Sequence, residues 1–398
     1  MVSQILLLGI CPFFWRPLSS IYGRYHISLL SVFGSMVCNI GGVFCTSYGS
    51  QMATRVITAI LISPPIGIGS GVVTELCEPE ERAQKLGWWT LMTTIGTPAG
   101  PFIMGFVTQH LGMQWIFWIF TIINFVQLLA YLIVGDETIY IPLEERKTTT
   151  SSTKDKRNII IRNLVPRRID PRPLKPIEFI EPLFIGRFPR VLIAACAHAV
   201  CFCYGNIAIV VEMPTAFGQK FDFDAQQIGL QYIAIIIGCV LGEQLSGPMS
   251  DWWLKYLNRR RGHTCPADRL WIGYIGYGTV IAGLLTWGFQ LERANKTWNV
   301  TPCVGAAIAS FGNQMLTTIL TSFAVDSYKE LSTTVGVFVN ICRQIFGFVS
   351  FAASPVNQEG YLLTICDRLD HSTSPPYSRP LVSMELPASC VPSSLPVL

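Results

Sequence analysis

Seven long stretches of this sequence contain no Asp, Glu, Lys or Arg, and they constrain the fold more than any other feature. They are residues 25–54, 56–74, 86–135, 191–211, 225–242, 270–291 and 297–325. A helix needs about 20 mainly apolar residues to cross a bilayer. Only 14% of the 398 residues are charged, whereas soluble globular domains average about a quarter. The chain is therefore predicted to be an all-α polytopic membrane protein rather than a soluble enzyme with buried helices.

The apolar stretches predict ten membrane spans. Their centres lie near residues 12, 37, 63, 97, 124, 201, 237, 280, 312 and 343, with two spans in the stretch 86–135. A long polar connection at 136–190 is rich in Lys and Arg. We expect it to link an N-terminal membrane half at 1–135 to a C-terminal membrane half at 191–355. The polar residues 356–398 are predicted to form a disordered tail.

Basic loops indicate which side of the membrane each connection faces. Lys and Arg accumulate in cytoplasmic loops, so the 136–190 linker and the connection at 255–269 are both predicted to be cytoplasmic. The loops on the opposite side are short and poor in basic residues, and one of them carries glycosylation sequons at Asn295 and Asn299. A sequon is modified only on the lumenal side, which agrees with this topology. We expect a plasma-membrane location.

The fourth predicted span contains an unusual set of glycines. Gly87, Gly96, Gly100 and Gly105 are joined by Pro101 in one uncharged stretch. Glycines allow another helix to approach closely in a membrane, and a proline within a helix favours a bend. This span is predicted to pack tightly and to bend.

Turn-and-charge motifs follow the first and the seventh spans. The first motif contains Gly23 and Arg24, and the second contains Gly247 and Asp251, followed by Arg259 and Arg260. Asp251 is predicted to face these arginines across a short loop, as a latch that holds one conformation. The alternative for the arginines is an ordinary excess of positive charge on the cytoplasmic side.

These motifs, in this order, resemble those of the major facilitator superfamily, and specifically its fungal drug:proton antiporter branch with twelve helices. The segments beginning at Arg55, at Pro266 and at Asn340 are also similar to that branch. The resemblance covers residues 1–355 and implies the superfamily fold with about ten of its twelve helices, the first and twelfth being absent. It also implies that the glycine set is the antiporter signature.

Two ionisable residues within the predicted spans are candidates for proton coupling. The resemblance implies this role for Arg55. Glu243 is the second candidate, because an ionisable group inside a membrane needs a partner or a function. The alternatives are an interfacial arginine that reaches water and a glutamate that pairs with a nearby basic residue.

Five polar residues of the second half are candidates for a substrate cavity between the halves: Tyr204, Asn206, Glu212, Asn313 and Gln314. Substrates of transporters built from two related halves bind near the midplane between them. The same side chains would only form interhelical hydrogen bonds if they pointed at neighbouring helices. Glu212 would either attract a cationic substrate or remain a solvated charge at the end of a span.

The predicted function is proton-coupled export of a small amphipathic molecule by alternating access. The alternatives are a nutrient or polyamine transporter and a non-transporting truncated paralogue. The sequence contains no Walker-type phosphate-binding loop, no clear nucleophile and base pair, and no metal-ligand spacing among its cysteines. We therefore expect no enzymatic activity, no cofactor and no metal. The expected partners are membrane lipid, protons and the small-molecule substrate, and nucleic acid is not among them.

Overall fold

The computed structural model describes residues 2–76, 82–135, 177–262, 266–294, 298–328 and 331–352, and helices account for nearly all of them. Seven helices precede the linker: α1 (Val2–Ile10), α2 (Pro12–Tyr22), α3 (Arg24–Val43), α4 (Tyr48–Ile62), α5 (Pro64–Leu76), α6 (Arg82–Leu111) and α7 (Gln114–Val134). Seven more helices are described after residue 176: α8 (Ile177–Phe184), α9 (Pro189–Phe202), α10 (Ile209–Phe221), α11 (Ala225–Arg261), α12 (Leu270–Arg293), α13 (Thr301–Ser327) and α14 (Ser332–Ala352).

Each of the ten predicted spans coincides with a helical segment, which confirms the helical membrane fold class. Within the described ranges, eight segments are long and apolar enough to cross a membrane, and a ninth is the bent pair α1 and α2. The tenth, α6, has 30 residues but is less apolar, because it contains threonines and the prolines Pro98 and Pro101.

Three of the spans are interrupted at identifiable residues. The helix axis turns by 41° between α1 and α2, where Pro12 begins the second helix. Ser63 separates α4 from α5, which begins at Pro64, since proline lacks the amide proton that a continuous helix requires. A π-helical turn at Cys203–Ala208 joins α9 to α10, and such turns often occur at functional sites.

Helix α13 lies at the centre of the second group of helices. About 78% of its most apolar stretch is buried. Glycines at the contact allow the neighbouring helix α12 to approach closely. A methyl group on Gly276 would lie 2.7 Å from the Leu316 side chain, and one on Gly305 would lie 2.5 Å from the Trp287 amide nitrogen. Small residues of this kind let membrane helices pack at close range. The tight contact holds the buried polar face of α13 in a defined position.

The last part of the predicted linker is a packed element rather than an extended connection. Residues 177–184 form α8, and a 3₁₀ turn follows at Ile185–Arg187. The ring of Phe179 lies 6.0 Å from that of Phe14 on α2, and Ile185 is almost fully buried. Apolar residues at helical spacing outweigh the disruptive effect of Pro182 in this short helix. Residues 136–176 and 353–398, with the predicted disordered tail, lie outside the described residues.

Candidate functional site

Glu243 lies in the middle of α11 and forms the centre of the most complete polar site. Its side chain is only 8% exposed. Its Oε2 atom accepts hydrogen bonds from Gln314 Nε2 at 2.8 Å and from Thr318 Oγ1 at 2.6 Å. The two donors are four residues apart on α13 and therefore lie on one face of that helix. Both are neutral, so among the described residues the glutamate is held by hydrogen bonds and not by a basic partner.

The other carboxyl oxygen of Glu243 faces α6 of the first half. A methyl group on Gly87 would overlap Glu243 Oε1, so a side chain at this position would require the Glu243 carboxyl group to move. A cavity of about 200 Å³ lies beside the contact and is lined by Trp88, Glu243, Gly247, Arg269 and Thr318 among others. The site therefore combines a buried carboxyl group, a contact between the two halves and a small polar cavity.

The glycine set of α6 divides into two groups. Gly87 contacts Glu243, and a methyl group on Gly105 would lie 2.6 Å from the Ala225 carbonyl oxygen of α11. A methyl group on Gly96 or Gly100 would meet no described atom within 4 Å. The close packing predicted for this span is therefore seen at Gly87 and Gly105, and Gly96 and Gly100 have no close neighbour among the described residues.

Helix geometry explains this division. Successive residues rotate by about 100° around a helix axis, so the eighteen positions from Gly87 to Gly105 return to the same face after five turns. Gly96 lies about 180° from Gly87 around the helix axis, and Gly100 lies about 220° from it. Both therefore face away from α11. Pro101 does not end the helix, because α6 runs unbroken from Arg82 to Leu111, and the Pro101 carbonyl oxygen lies against Gly229 of α11.

The predicted latch in the second half has a different geometry. Asp251, Arg259 and Arg260 lie on one continuous helix, because α11 extends to Arg261. Asp251 therefore does not face these arginines across a loop, and the rise of 1.5 Å per residue puts Arg259 about 12 Å further along the axis. Arg260 instead stacks on Tyr256, with 4.7 Å between its guanidinium carbon and the ring centroid.

Charged contacts form close to this position, at the ends of neighbouring elements. Arg261 Nη1 lies 3.5 Å from Asp268 Oδ1, and Arg269 Nε lies 3.9 Å from Asp326 Oδ2. Arg269 also lines the cavity beside Glu243. In the first half, Gly23 adopts a positive φ of 94° between α2 and α3, a conformation that favours glycine. This turn positions Arg24 at the start of α3.

An unpredicted contact joins the halves through Arg16 of α2. Its Nη1 atom lies 3.0 Å from Glu181 Oε2 on α8, and its Nη2 atom donates to Thr334 Oγ1 of α14 at 2.6 Å. Nearby, a methyl group on Gly336 would overlap Ser70 Oγ of α5. These contacts close the two groups of helices against each other at the end of the bundle where α7 ends and α8 begins.

The structure does not bring Arg55 and Glu243 together. Arg55 lies in the second turn of α4, where its guanidinium carbon is 5.7 Å from the centroid of the Phe117 ring on α7. No ion pair of Arg55 with a carboxylate is present among the described residues.

The five predicted cavity residues occupy three different environments. Tyr204 is 51% exposed, and Glu212 is exposed on α10. Asn206 and Asn313 are fully buried, and their side-chain amides have no hydrogen-bond partner among the described residues. Gln314 belongs to the Glu243 site. The π turn brings the two buried amides towards the same interface, because a methyl group on Gly205 would lie 3.2 Å from Asn313 Cβ.

One of the two glycosylation candidates can be located. Asn299 is exposed immediately before α13, and its Oδ1 atom accepts a hydrogen bond from the Thr301 amide at 3.3 Å. The Thr301 hydroxyl group of the same sequon is 3.4 Å from Gln290 Oε1. Asn295 lies outside the described residues.

Comparison with known proteins supports the fold at the level of sequence. The family model of the Major Facilitator Superfamily matches residues 1–351 of this chain. The "Probable efflux pump mfs2" of Aspergillus flavus is 27% identical over 363 residues, which cover 88% of this chain and 83% of that protein. The "MFS transporter fsa7" of a Fusarium species is 28% identical over 366 residues, which cover 89% of this chain and 70% of that protein.

Comparison with solved structures gives the same fold. The crystal structure of a peptide transporter POT in complex with sulfate matches with a TM-score of 0.57 at 14% identity, over 92% of this chain and 82% of that chain. At this identity the likeness concerns the fold alone. The helical architecture and the match across residues 1–351 lead to one conclusion: the chain belongs to the major facilitator superfamily of membrane transporters.

Proposed function

We propose that this protein is a proton-coupled transporter that exports a small amphipathic compound from the cytoplasm across the plasma membrane. One observation carries the proton coupling: the carboxyl group of Glu243 is buried at the contact between the two halves, directly against Gly87. The similarity to a fungal protein named as a probable efflux pump supports the export direction. The basic composition of the 136–190 linker supports its cytoplasmic location.

Proton binding at Glu243 would be coupled to the approach of the two halves. When α6 lies against α11, Glu243 is shielded from water, and a buried ionised carboxylate is unfavourable without full compensation. Gln314 and Thr318 supply two neutral donors to one oxygen only. Separation of the halves on this side would open the Glu243 carboxyl group to water, so proton exchange at Glu243 would accompany this movement. Because such coupling is reciprocal, a proton gradient can bias the conformational equilibrium.

The direction of coupling follows from the position of the contact. Glu243 and Gly87 lie in the half of the bundle nearer the linker, where Arg16 also joins α2 to α8 and α14. Closure at this end corresponds to a state that opens towards the outside. A proton taken up from outside would thus be released on the cytoplasmic side, where substrate enters, as alternating access requires for antiport.

Flux measurements in proteoliposomes test this proposal. The purified protein would be reconstituted with an internal pH-sensitive dye, and flux of anionic, neutral and cationic amphipathic compounds would be followed with and without an imposed pH gradient. The expected result is gradient-driven accumulation that disappears when an ionophore collapses the gradient. Glu243→Gln should abolish accumulation but retain gradient-independent exchange, because the neutral amide mimics the protonated acid.

A matched control separates this effect from a general loss of charge. Glu292 is exposed at the end of α12, so Glu292→Gln makes the same chemical change far from the contact and should leave coupling intact. Flux that ignores the pH gradient would overturn the antiport mechanism. Gradient-driven accumulation that is unchanged in Glu243→Gln would overturn the role of this residue.

A further inference from the structure

Arg343 carries a positive charge in the middle of α14 without an acidic partner among the described residues. It is the twelfth of the 21 residues of this helix, and its guanidinium carbon lies 4.5 Å from the centroid of the Phe202 ring. Its Nη2 atom donates to Asn340 Oδ1 at 2.8 Å. A charge at this depth is unfavourable unless it has a partner or a functional role, and one aromatic ring and one amide provide only partial compensation.

The hydrogen bonds around Arg343 leave donors without acceptors. A guanidinium group can only donate, so Asn340 must present its oxygen, and this turns its Nδ2 group away. Asn340 is 6% exposed, and both its Nδ2 atom and the Nε atom of Arg343 are buried without a hydrogen-bond partner. Buried polar groups are normally paired. The arrangement is therefore rich in donors and lacks a group that accepts.

The same position lies between the two halves. Gln344 packs against Gly9 of α1, where a methyl group on the glycine would lie 2.7 Å from Gln344 Cβ. One turn further, a methyl group on Gly347 would lie 3.0 Å from the Ile207 side chain in the π turn and 3.6 Å from that of Ile5 on α1. Arg343 itself retains partial exposure. An alternating-access movement between α1 and α14 would thus change access to this site.

We propose that Arg343 and Asn340 bind the carboxylate group of the transported compound, and that the substrates are amphipathic organic acids. A carboxylate accepts two parallel hydrogen bonds from a guanidinium group, and it would supply the acceptor that Asn340 Nδ2 lacks. Phe202 and Ile207 are buried beside this position, so a movement between α1 and α14 would expose apolar surface for the remainder of the molecule. This inference rests on the proposed transport function and specifies its substrate class. It disfavours polyamines, because their charge would be repelled by Arg343.

The depth of the site separates a substrate carboxylate from a lipid phosphate. Eleven residues of helix precede Arg343 in α14, which corresponds to about 16 Å. Lipid headgroups lie at the membrane surface, outside a hydrocarbon core roughly 30 Å thick, so a headgroup phosphate does not normally reach this depth. Binding of the acid would be measured in lipid-free detergent and again with added anionic lipid. Added lipid would reduce acid binding only if lipid headgroups also occupied the Arg343 site, so the comparison distinguishes the two sources.

Matched acids and amides provide the direct test. Equilibrium binding to the purified full-length protein would be measured for 1-naphthaleneacetate, indole-3-acetate and 4-phenylbutyrate, each against its own primary amide. We expect at least one acid to bind about tenfold or more tightly than its amide. Arg343→Gln should reduce binding of that acid by about tenfold to a hundredfold, the range for a hydrogen bond to a charged group.

Two further variants keep the test valid if Arg343→Gln folds poorly. Asn340→Asp would place a carboxylate against the guanidinium group, so it should preserve folding while abolishing the preference for acids. Arg293→Gln makes the same chemical change at an exposed helix end and should leave acid binding unchanged. Equal affinity for acid and amide across all three wild-type pairs would overturn the proposal, as would an acid preference that survives both site variants.

The binding assay uses no gradient, so its failure differs from failure of the proposed function. Selective acid binding without gradient-driven flux would contradict proton-coupled export and support the Arg343 site. Gradient-driven flux of amides or amines, with no preference for acids, would contradict the Arg343 site and support export.

Discussion

Replacement of Gly87 by alanine would test the central contact most sharply. The new methyl group would overlap Glu243 Oε1, since α6 and α11 touch at this point. Gly100 provides the matched control on the same helix, because the same methyl group would meet no described atom within 4 Å. Both substitutions add one carbon to one helix, so a difference between them isolates the contact with Glu243.

The magnitude follows from two opposing effects. Alanine in a helix is more favourable than glycine by about 0.8–1.0 kcal/mol, and this gain applies at both positions. An additional methyl group in a tight contact costs about 1–3 kcal/mol, and only Gly87→Ala incurs that cost. The variants should therefore differ by about 1–3 kcal/mol in the free energy of the closed contact. Because 1.4 kcal/mol corresponds to a factor of ten, this shift disfavours the closed state by roughly 5- to 150-fold.

The assay combines unfolding with a double-mutant cycle. Unfolding in SDS, followed by tryptophan fluorescence, would compare both alanine variants with the wild type. The same comparison would be repeated in a Glu243→Ala background, where the carboxyl oxygen is absent and the penalty at Gly87 should disappear. Gly100→Ala should be neutral or stabilising in both backgrounds. Effects of Gly87→Ala and Glu243→Ala that simply add, with no coupling energy, would refute the proposed overlap.

Two further predictions concern other regions. Arg16→Gln removes both the partly exposed ion pair with Glu181, which contributes less than about 1 kcal/mol, and the hydrogen bond to Thr334. The temperature of thermal unfolding should fall by at least about 2 °C, and proteolysis at the linker end should accelerate because these contacts close the bundle there. Asn299→Gln should increase electrophoretic mobility and make the protein insensitive to glycosidase at that sequon; an unchanged glycan pattern would exclude Asn299 as an acceptor and leave Asn295 as the candidate.

The positions of the spans could be predicted from the sequence because they depend on local composition. A segment with about 20 residues and no charge has few alternatives to a membrane helix, so nine of the ten centres lie within helices and the one at residue 63 falls at the break between α4 and α5. The breaks within spans were harder to predict. Pro12 and Pro64 mark two of them, but the π turn at Cys203–Ala208 has no simple sequence signal, and its neighbour Asn313 on α13 lies more than a hundred positions away in sequence.

The site was less predictable, for two physical reasons. The position of Gly96 around the helix axis, about 180° from Gly87, already predicts its exposure. Glycines in the same span therefore need not lie on the same face of the helix. The contact between Arg16 and Glu181 spans 165 positions in sequence, and only the tertiary arrangement brings such distant residues together. Gln314 stands out in the sequence as a polar residue within a span, but its hydrogen bond to Glu243 depends on the packing of two helices.

The two proposed sites use different contacts between the halves, and this determines how protons and substrate would be linked. Glu243 faces α6, whereas Arg343 lies on α14, whose neighbouring residues face α1. Neither residue contacts the other, so a proton and an organic acid need not compete for the same atoms. Their coupling would arise because the same relative movement of the halves opens or closes both contacts, as a shared conformational equilibrium requires. Glu243→Gln should then alter acid affinity only through the population of states, while Arg343→Gln should remove acid recognition and leave proton binding at Glu243 intact.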